Sequence, residues 1–161
     1  MRILGIDPGS KKTGYGILEE SGLALDVVDS GVIHAPNDCL SVRLGYILKE
    51  VQKLIDDYKP DAVAVETVFF SKNVKSLAAL AQARGAALAA AGAAEIEVFE
   101  YSPTRVKQTV TGHGKAAKEQ VRAMLRATLG QAPKQLDASD ALAIALCHQR
   151  WYRLPNGGAN R

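Results

Sequence analysis

Four acids in this 161-residue chain stand where a charge has few routine uses. Asp7 closes the apolar run Ile3-Leu-Gly-Ile6 and is followed by Pro8-Gly9-Ser10. Glu66 closes a second apolar run, Ala62-Val-Ala-Val65. Asp137 and Asp140 are spaced i, i+3 at the start of a helical segment and so share one face. Taken singly, Asp7 reads as a turn former before Pro-Gly. Asp137 or Asp140, also taken singly, reads as a cap or first-turn acid of its helix. Glu66 has no such role, since Glu forms neither turns nor strands by preference. Taken together, four carboxylates repel one another and resist ionisation unless a cation neutralises them. A donor set made only of oxygen suits Mg²⁺ or Mn²⁺, and Mg²⁺ usually completes its shell with water and substrate phosphate. The chemistry this allows is metal-assisted phosphodiester hydrolysis, in which paired ions activate a water and hold the leaving oxygen.

The elements that must hold these acids follow from the apolar pattern. Strands are predicted over 3–7, 13–19 and 24–33, with connections short enough for an antiparallel meander. Leu40, Leu44, Ile47, Leu48, Val51, Leu54, Ile55 and Tyr58 recur at helical spacing, and Lys59-Pro60 ends that helix. A strand over 61–66 follows, then a helix over 77–94, where eleven of eighteen residues are Ala. A fifth strand is predicted over 96–101. Ser102-Pro103 opens a short helix through Val110, and further helices cover 117–129 and 137–150. This order, β-β-β-α-β-α-β and then helices, predicts an α/β fold: a mixed five-stranded sheet of three antiparallel strands with parallel additions, flanked by helices. The strand carrying Asp7 would lie in the middle with the Glu66 strand parallel beside it, which brings both acids to one sheet edge. Gly14 and Gly16 sit between two strands and so are no dinucleotide fingerprint; close backbone approach is their better use. Residues 1–153 are expected to form a single domain, with a disordered Gly/Asn-rich tail over 154–161.

Charge is divided unevenly. Residues 1–100 hold 10 basic and 14 acidic side chains, whereas residues 101–161 hold 10 and 3, so the overall +3 hides a basic C-terminal third that suits a polyanionic partner. Between 102 and 134 seven basic residues face a single acid, Glu119. Lys118, Arg122 and Arg126 are spaced to form one stripe opposite the apolar face, with Lys115 just before it and Arg105 and Lys107 on the preceding short helix. A solvated helix face is the usual fate of such a run, but the scarcity of acids favours phosphate contact. Phe69 and Phe70 lie among Lys72 and Lys75, where an aromatic can anchor a loop or stack on an unpaired base. No apolar run reaches the length of a membrane span, and the N-terminus lacks the pattern of a signal peptide. Cys39 and Cys147 read as two reduced thiols of a cytoplasmic protein, and His113 and His148 as exposed or packing residues.

Six blocks carry a resemblance. Ile-Asp-Pro-Gly-Ser-Lys-Lys-Thr-Gly-Tyr-Gly at 6–16, Val-Glu-Thr-Val-Phe-Phe-Ser-Lys-Asn at 65–73, Gln-Ala-Arg-Gly at 82–85, Val-Phe-Glu-Tyr at 98–101, Val-Lys-Gln-Thr-Val at 106–110 and Asp-Ala-Ser-Asp-Ala-Leu-Ala-Ile-Ala at 137–145 are in the order of the RuvC family, bacterial crossover-junction endonucleases, which the chain resembles over about residues 2–150. The resemblance implies a ribonuclease-H-like fold, a homodimer with the Ala-rich helix at its interface, and Mg²⁺-dependent resolution of Holliday junctions by paired symmetric nicks in recombination and repair. It implies that Asp7, Glu66, Asp137 and Asp140 are the catalytic, metal-binding acids, that Lys107 and Lys118 touch DNA, and that Phe69 acts at the junction. It also implies contacts with the branch-migration proteins RuvA and RuvB.

Three other readings compete. Asp-Pro-Gly-Ser resembles the phosphate turn of sugar-kinase and actin-like ATPases, but those need two such domains and the chain has the length of one. A non-catalytic junction-binding protein would leave most of the acids without a purpose. A ribonuclease-H-like nuclease acting on RNA would use the same acids on another substrate.

Overall fold

The computed structural model describes residues 1–67 and 73–153. Five strands, β1 (Arg2–Asp7), β2 (Lys12–Ser21), β3 (Ala24–His34), β4 (Ala62–Glu66) and β5 (Val98–Tyr101), form one sheet in the order β3-β2-β1-β4-β5. β1, β2 and β3 pair antiparallel, and β4 and β5 add in parallel, as the element order predicts. The helices are α1 (Leu40–Tyr58), α2 (Val74–Ala93), α3 (Pro103–Thr111), α4 (Lys118–Leu129) and α5 (Leu136–Tyr152).

Alternation along the strands sorts the core into two layers. Leu4 and Ile6 of β1, with Val63 and Val65 of β4, meet Ile47, Val51 and Ile55 of α1 and the Ala83, Ala87, Ala90, Ala91 strip of α2. The strip has i, i+4, i+7, i+8 spacing, so an Ala-rich helix with little overall polarity difference still presents one flat face to the sheet. The opposite residues, Ile3, Ala62 and Ala64, meet α3, α4 and α5. Asp7 and Glu66 continue that second alternation, so they face α5 and not α1.

Two boundaries differ from the pattern-based expectation for reasons visible locally. α2 begins at Val74, three residues early, because the Asn73 side chain accepts the Ser76 backbone N–H at 3.2 Å. β5 begins at Val98 rather than at 96, because the Glu95 and Ile96 N–H groups still donate to Gly92 and Ala91 of α2 (3.1 Å each) and Glu95 adopts a left-handed φ of 57°.

α5 is buried without interruption from Ala141 to Gln149. It lies on β1 and β2 because the strands have no side chain beneath it at three points. A Cβ on Gly5 would come within 2.2 Å of the Ala141 carbonyl oxygen, one on Gly14 within 2.0 Å of that of Asp137, and one on Gly16 within 2.7 Å of Leu142. Close backbone approach is thus the use made of Gly14 and Gly16. No helix among the described residues is long and apolar enough to cross a membrane.

Candidate active site

Register places the strand acids. Ile6 pairs with Val65 across the parallel β1–β4 ladder, and Asp7 and Glu66 are the next residue on each strand. Asp7 is also opposite Gly14 on β2, the residue whose missing side chain admits the Asp137 backbone. The first turn of α5 therefore meets the sheet directly beside Asp7. After Asp7 the chain turns through Pro8-Gly9, held by buried Thr13, whose hydroxyl donates to the Gly9 carbonyl at 2.9 Å.

Asp7, Glu66 and Asp140 line one cavity of about 230 Å³ together with Lys107 and Lys118, above a floor that includes Val106, Val121 and Ala143. Burial, then the charges of Glu66, Asp140 and Asp137, pushes the Asp7 carboxyl up from 3.8 to about 7, with Lys118 opposing. Glu66 is raised by burial and by Asp140, against the pull of Lys118 and Lys107. Asp137 is not a wall of the cavity, but its charge reaches Asp7. It does not cap α5 either: the N-cap is Gln135, which makes no side-chain cap bond, and Asp137 lies in the first turn. The donor chemistry fits a hard divalent cation, since burial and neighbouring acids oppose the ionisation of Asp7 and Glu66. Among the described residues, no three His, Cys, Asp or Glu side chains are drawn close enough together to hold an ion as they stand. Asp140 is instead turned to Lys118, whose Nζ donates to Oδ2 at 2.8 Å.

The remaining basic candidates are dispersed. Lys107 lies on the cavity wall. Lys118, Arg122 and Arg126 do not form the free stripe that spacing suggests. Lys118 turns to the acids, Arg122 donates to the Pro133 carbonyl at 3.1 Å and fixes the segment before α5, and Arg126 is exposed. Arg105 stacks on Trp151 with Cζ 3.8 Å from the ring centre, away from the acidic cavity. Lys115 is exposed on the turn between α3 and α4, and Lys75 near the start of α2. Phe69, Phe70 and Lys72 lie outside the described residues. His148 is a packing residue, buried against Phe99 with Nδ1 2.8 Å from the Tyr101 hydroxyl.

Sequence reasoning overlooked Arg84. Its Nε donates to the Glu66 carbonyl at 3.3 Å and its guanidinium pairs with Glu100 at 2.5 Å, so α2 steadies the end of β4. The available signal was a lone charge in an Ala-rich helix.

A mixed sheet of this order, with acids gathered at one end of two parallel strands and at the start of a packed helix, defines a ribonuclease-H-like nuclease fold. A family profile described as crossover junction endodeoxyribonuclease RuvC matches residues 3–148. The chain belongs to this family, one of metal-dependent nucleases. It is 49% identical over 156 residues to the crossover junction endodeoxyribonuclease RuvC of Trichlorobacter lovleyi, covering 96% of this chain and 88% of the relative. The structure is similar to that of Thermus thermophilus RuvC in complex with Holliday junction substrate, with a TM-score of 0.88, 38% identity and 95% of each chain covered. The yeast mitochondrial Holliday junction resolvase Ydc2 shares the fold at a TM-score of 0.70 and 15% identity, over 92% of this chain and 78% of that one.

Proposed function

We propose that this chain cuts four-way DNA junctions by hydrolysing phosphodiester bonds, with Asp7, Glu66, Asp137 and Asp140 holding two Mg²⁺ ions that Mn²⁺ can replace. The observation that carries this reading is the shared cavity of Asp7, Glu66 and Asp140, in which burial and then the neighbouring acids push the Asp7 carboxyl up to about 7, so that further positive charge would be favoured there. When bound, divalent cations would supply that charge and acidify the attacking water. The chain's own part is positional. β1 and β4 fix two carboxylates in register, α5 sets two more against them, and the apolar floor excludes bulk water. Lys107 and Lys118 hold phosphate oxygens at the cavity wall, which positions the backbone without reading sequence. Phe69, Lys72, Lys75 and Lys115 extend the DNA surface, while Arg105 and Arg122 add charge from positions already engaged with protein groups.

The proposed assembly is a homodimer through the outer face of α2, because two symmetric nicks need two sites related by a two-fold axis. RuvA and RuvB are proposed partners in the cytoplasm. The test is cleavage of a synthetic four-way junction, a duplex and an RNA–DNA hybrid, with and without Mg²⁺. Metal-dependent cutting is expected to be fastest on the junction; preference for the hybrid, or undiminished cutting by Asp7→Asn, would overturn the reading. Saturating Mg²⁺ is also expected to raise the melting temperature, since a ligand of the folded state stabilises it.

A further inference from the structure

Lys118 stands apart from the other basic residues. It is the first residue of α4, yet it reaches across to α5, where its ammonium lies 2.8 Å from Asp140 Oδ2. The two groups are far apart in sequence and on separate helices, so the pairing is a product of the tertiary fold. It is also the ion pair of the acidic cavity: among the described residues Lys107, on the same wall, makes none. We propose that Lys118 is the built-in counter-ion of the carboxylate site and competes with the divalent cation for Asp140. This rests on the metal-binding reading of the four acids and adds a second role for a residue otherwise assigned to phosphate contact.

The physical argument concerns charge. A cation coordinated by these acids brings two positive charges into a cavity that already holds an ammonium against one of the ligands. The ammonium and the ion repel, and the Asp140 oxygen cannot serve both at full strength. Without metal, Lys118 offsets part of the repulsion among Asp7, Glu66, Asp137 and Asp140 and keeps α4 docked on α5. With metal, it is released from Asp140 and becomes available to a phosphate oxygen. Lys118 is therefore a positioning residue for the metal as well as a proposed substrate contact, and the two roles alternate.

The test is Mg²⁺ titration of the DNA-free protein by calorimetry and by thermal denaturation. Because the pair is half-exposed, Lys118→Met is expected to bind Mg²⁺ roughly fivefold more tightly than wild type. Its metal-free form is expected to melt lower, and Lys118→Arg to resemble wild type. Lys107→Met removes the same charge without breaking the pair and is expected to shift affinity less. Equal or weaker Mg²⁺ binding by Lys118→Met overturns the inference while leaving the metal reading intact. Absence of binding by wild type and variant alike overturns both. Should Lys118→Met fail to fold, the wild-type protein serves. Its ¹⁵N-labelled Lys118 ammonium resonance is expected to move and exchange faster as Mg²⁺ is added, and a signal unchanged through saturation overturns the competition.

Discussion

The two ends of α5 handle polar groups in opposite ways. At its C-terminal end the polar groups meet complements, with the buried His148 Nε2 as an exception. His148 shares a hydrogen bond with Tyr101, the Trp151 indole donates to Thr109, Arg150 donates to the Thr109 carbonyl at 2.6 Å, Arg105 covers the Trp151 ring, and Arg153 pairs with Glu20. At its N-terminal end four acids are gathered with Lys118 as their one ion-paired partner among the described residues, and burial opposes the charge of Asp7 and Glu66. The same helix, on the same sheet, is thus finished by protein at one end and unfinished at the other. The difference separates stability from function: the unfinished end carries unfavourable electrostatics that a ligand can relieve.

Asp7→Asn should give the largest effect and the clearest contrast. Junction cleavage is expected to fall by about 10³-fold or more, while the metal-free protein becomes more stable at neutral pH by about 2 kcal/mol. The sign follows from the raised carboxyl. Asp7 ionises at about 7 in the folded chain and at 3.8 in the unfolded one, so its destabilising effect is absent below the lower value, grows as pH rises between them and is complete above about 7. The gap between variant and wild-type melting temperatures should widen over that window; a variant less stable than wild type at pH 8 would break the comparison.

Gly14→Ala should damage both stability and activity, since its methyl group would strike the Asp137 carbonyl. A loss of about 3 kcal/mol is expected in denaturant titration, with cleavage falling at temperatures where the variant is still folded. The finished end should behave in the opposite sense to Asp7 in acid. Burial lowers His148 to about 4 from an ordinary 6.5, so its contribution is intact above 6.5 and is lost as pH falls toward 4. His148→Phe should remove that acid sensitivity, yet cost about 1–3 kcal/mol at neutral pH because the Tyr101 hydroxyl loses its partner. Melting curves from pH 4 to 8 check both arms. Arg105→Ala should show the smallest effect, about 1 kcal/mol of stability from the lost stacking, with a smaller loss of junction affinity than Lys107→Ala in the same binding assay.

Much of this was legible in the residues themselves. Apolar runs ending on an acid located Asp7 and Glu66, helix-to-strand order pointed to the parallel pairing of β1 and β4, and Gly14 and Gly16 signalled a close backbone approach without saying what approaches. The partners of long side chains were not legible. Spacing put Lys118, Arg122 and Arg126 on one helical stripe, but Lys118 meets Asp140 and Arg122 the Pro133 carbonyl, while Arg126 is exposed. Arg105 covers Trp151, a ring supplied from near the far end of the chain, which its place on α3 did not reveal. Periodicity reports which face a residue occupies on its own element, whereas these contacts depend on how elements are brought together. His148 shows the converse, a polar residue in a helix so evenly buried that no periodicity distinguishes an inner face.

The glycines under α5 have one more consequence. A helix resting on a smooth sheet can slide; a helix that drops two carbonyls and a leucine side chain into three gaps cannot shift along its axis without climbing out of all of them. Gly5, Gly14 and Gly16 act as a mechanical detent. The spacing between strand acids and helix acids is therefore not an adjustable quantity for this nuclease, whatever bends around it. Any closing motion on a substrate must come from parts that are not notched into the sheet, and α3 and α4, which carry Lys107 and Lys118, are such parts on the cavity itself.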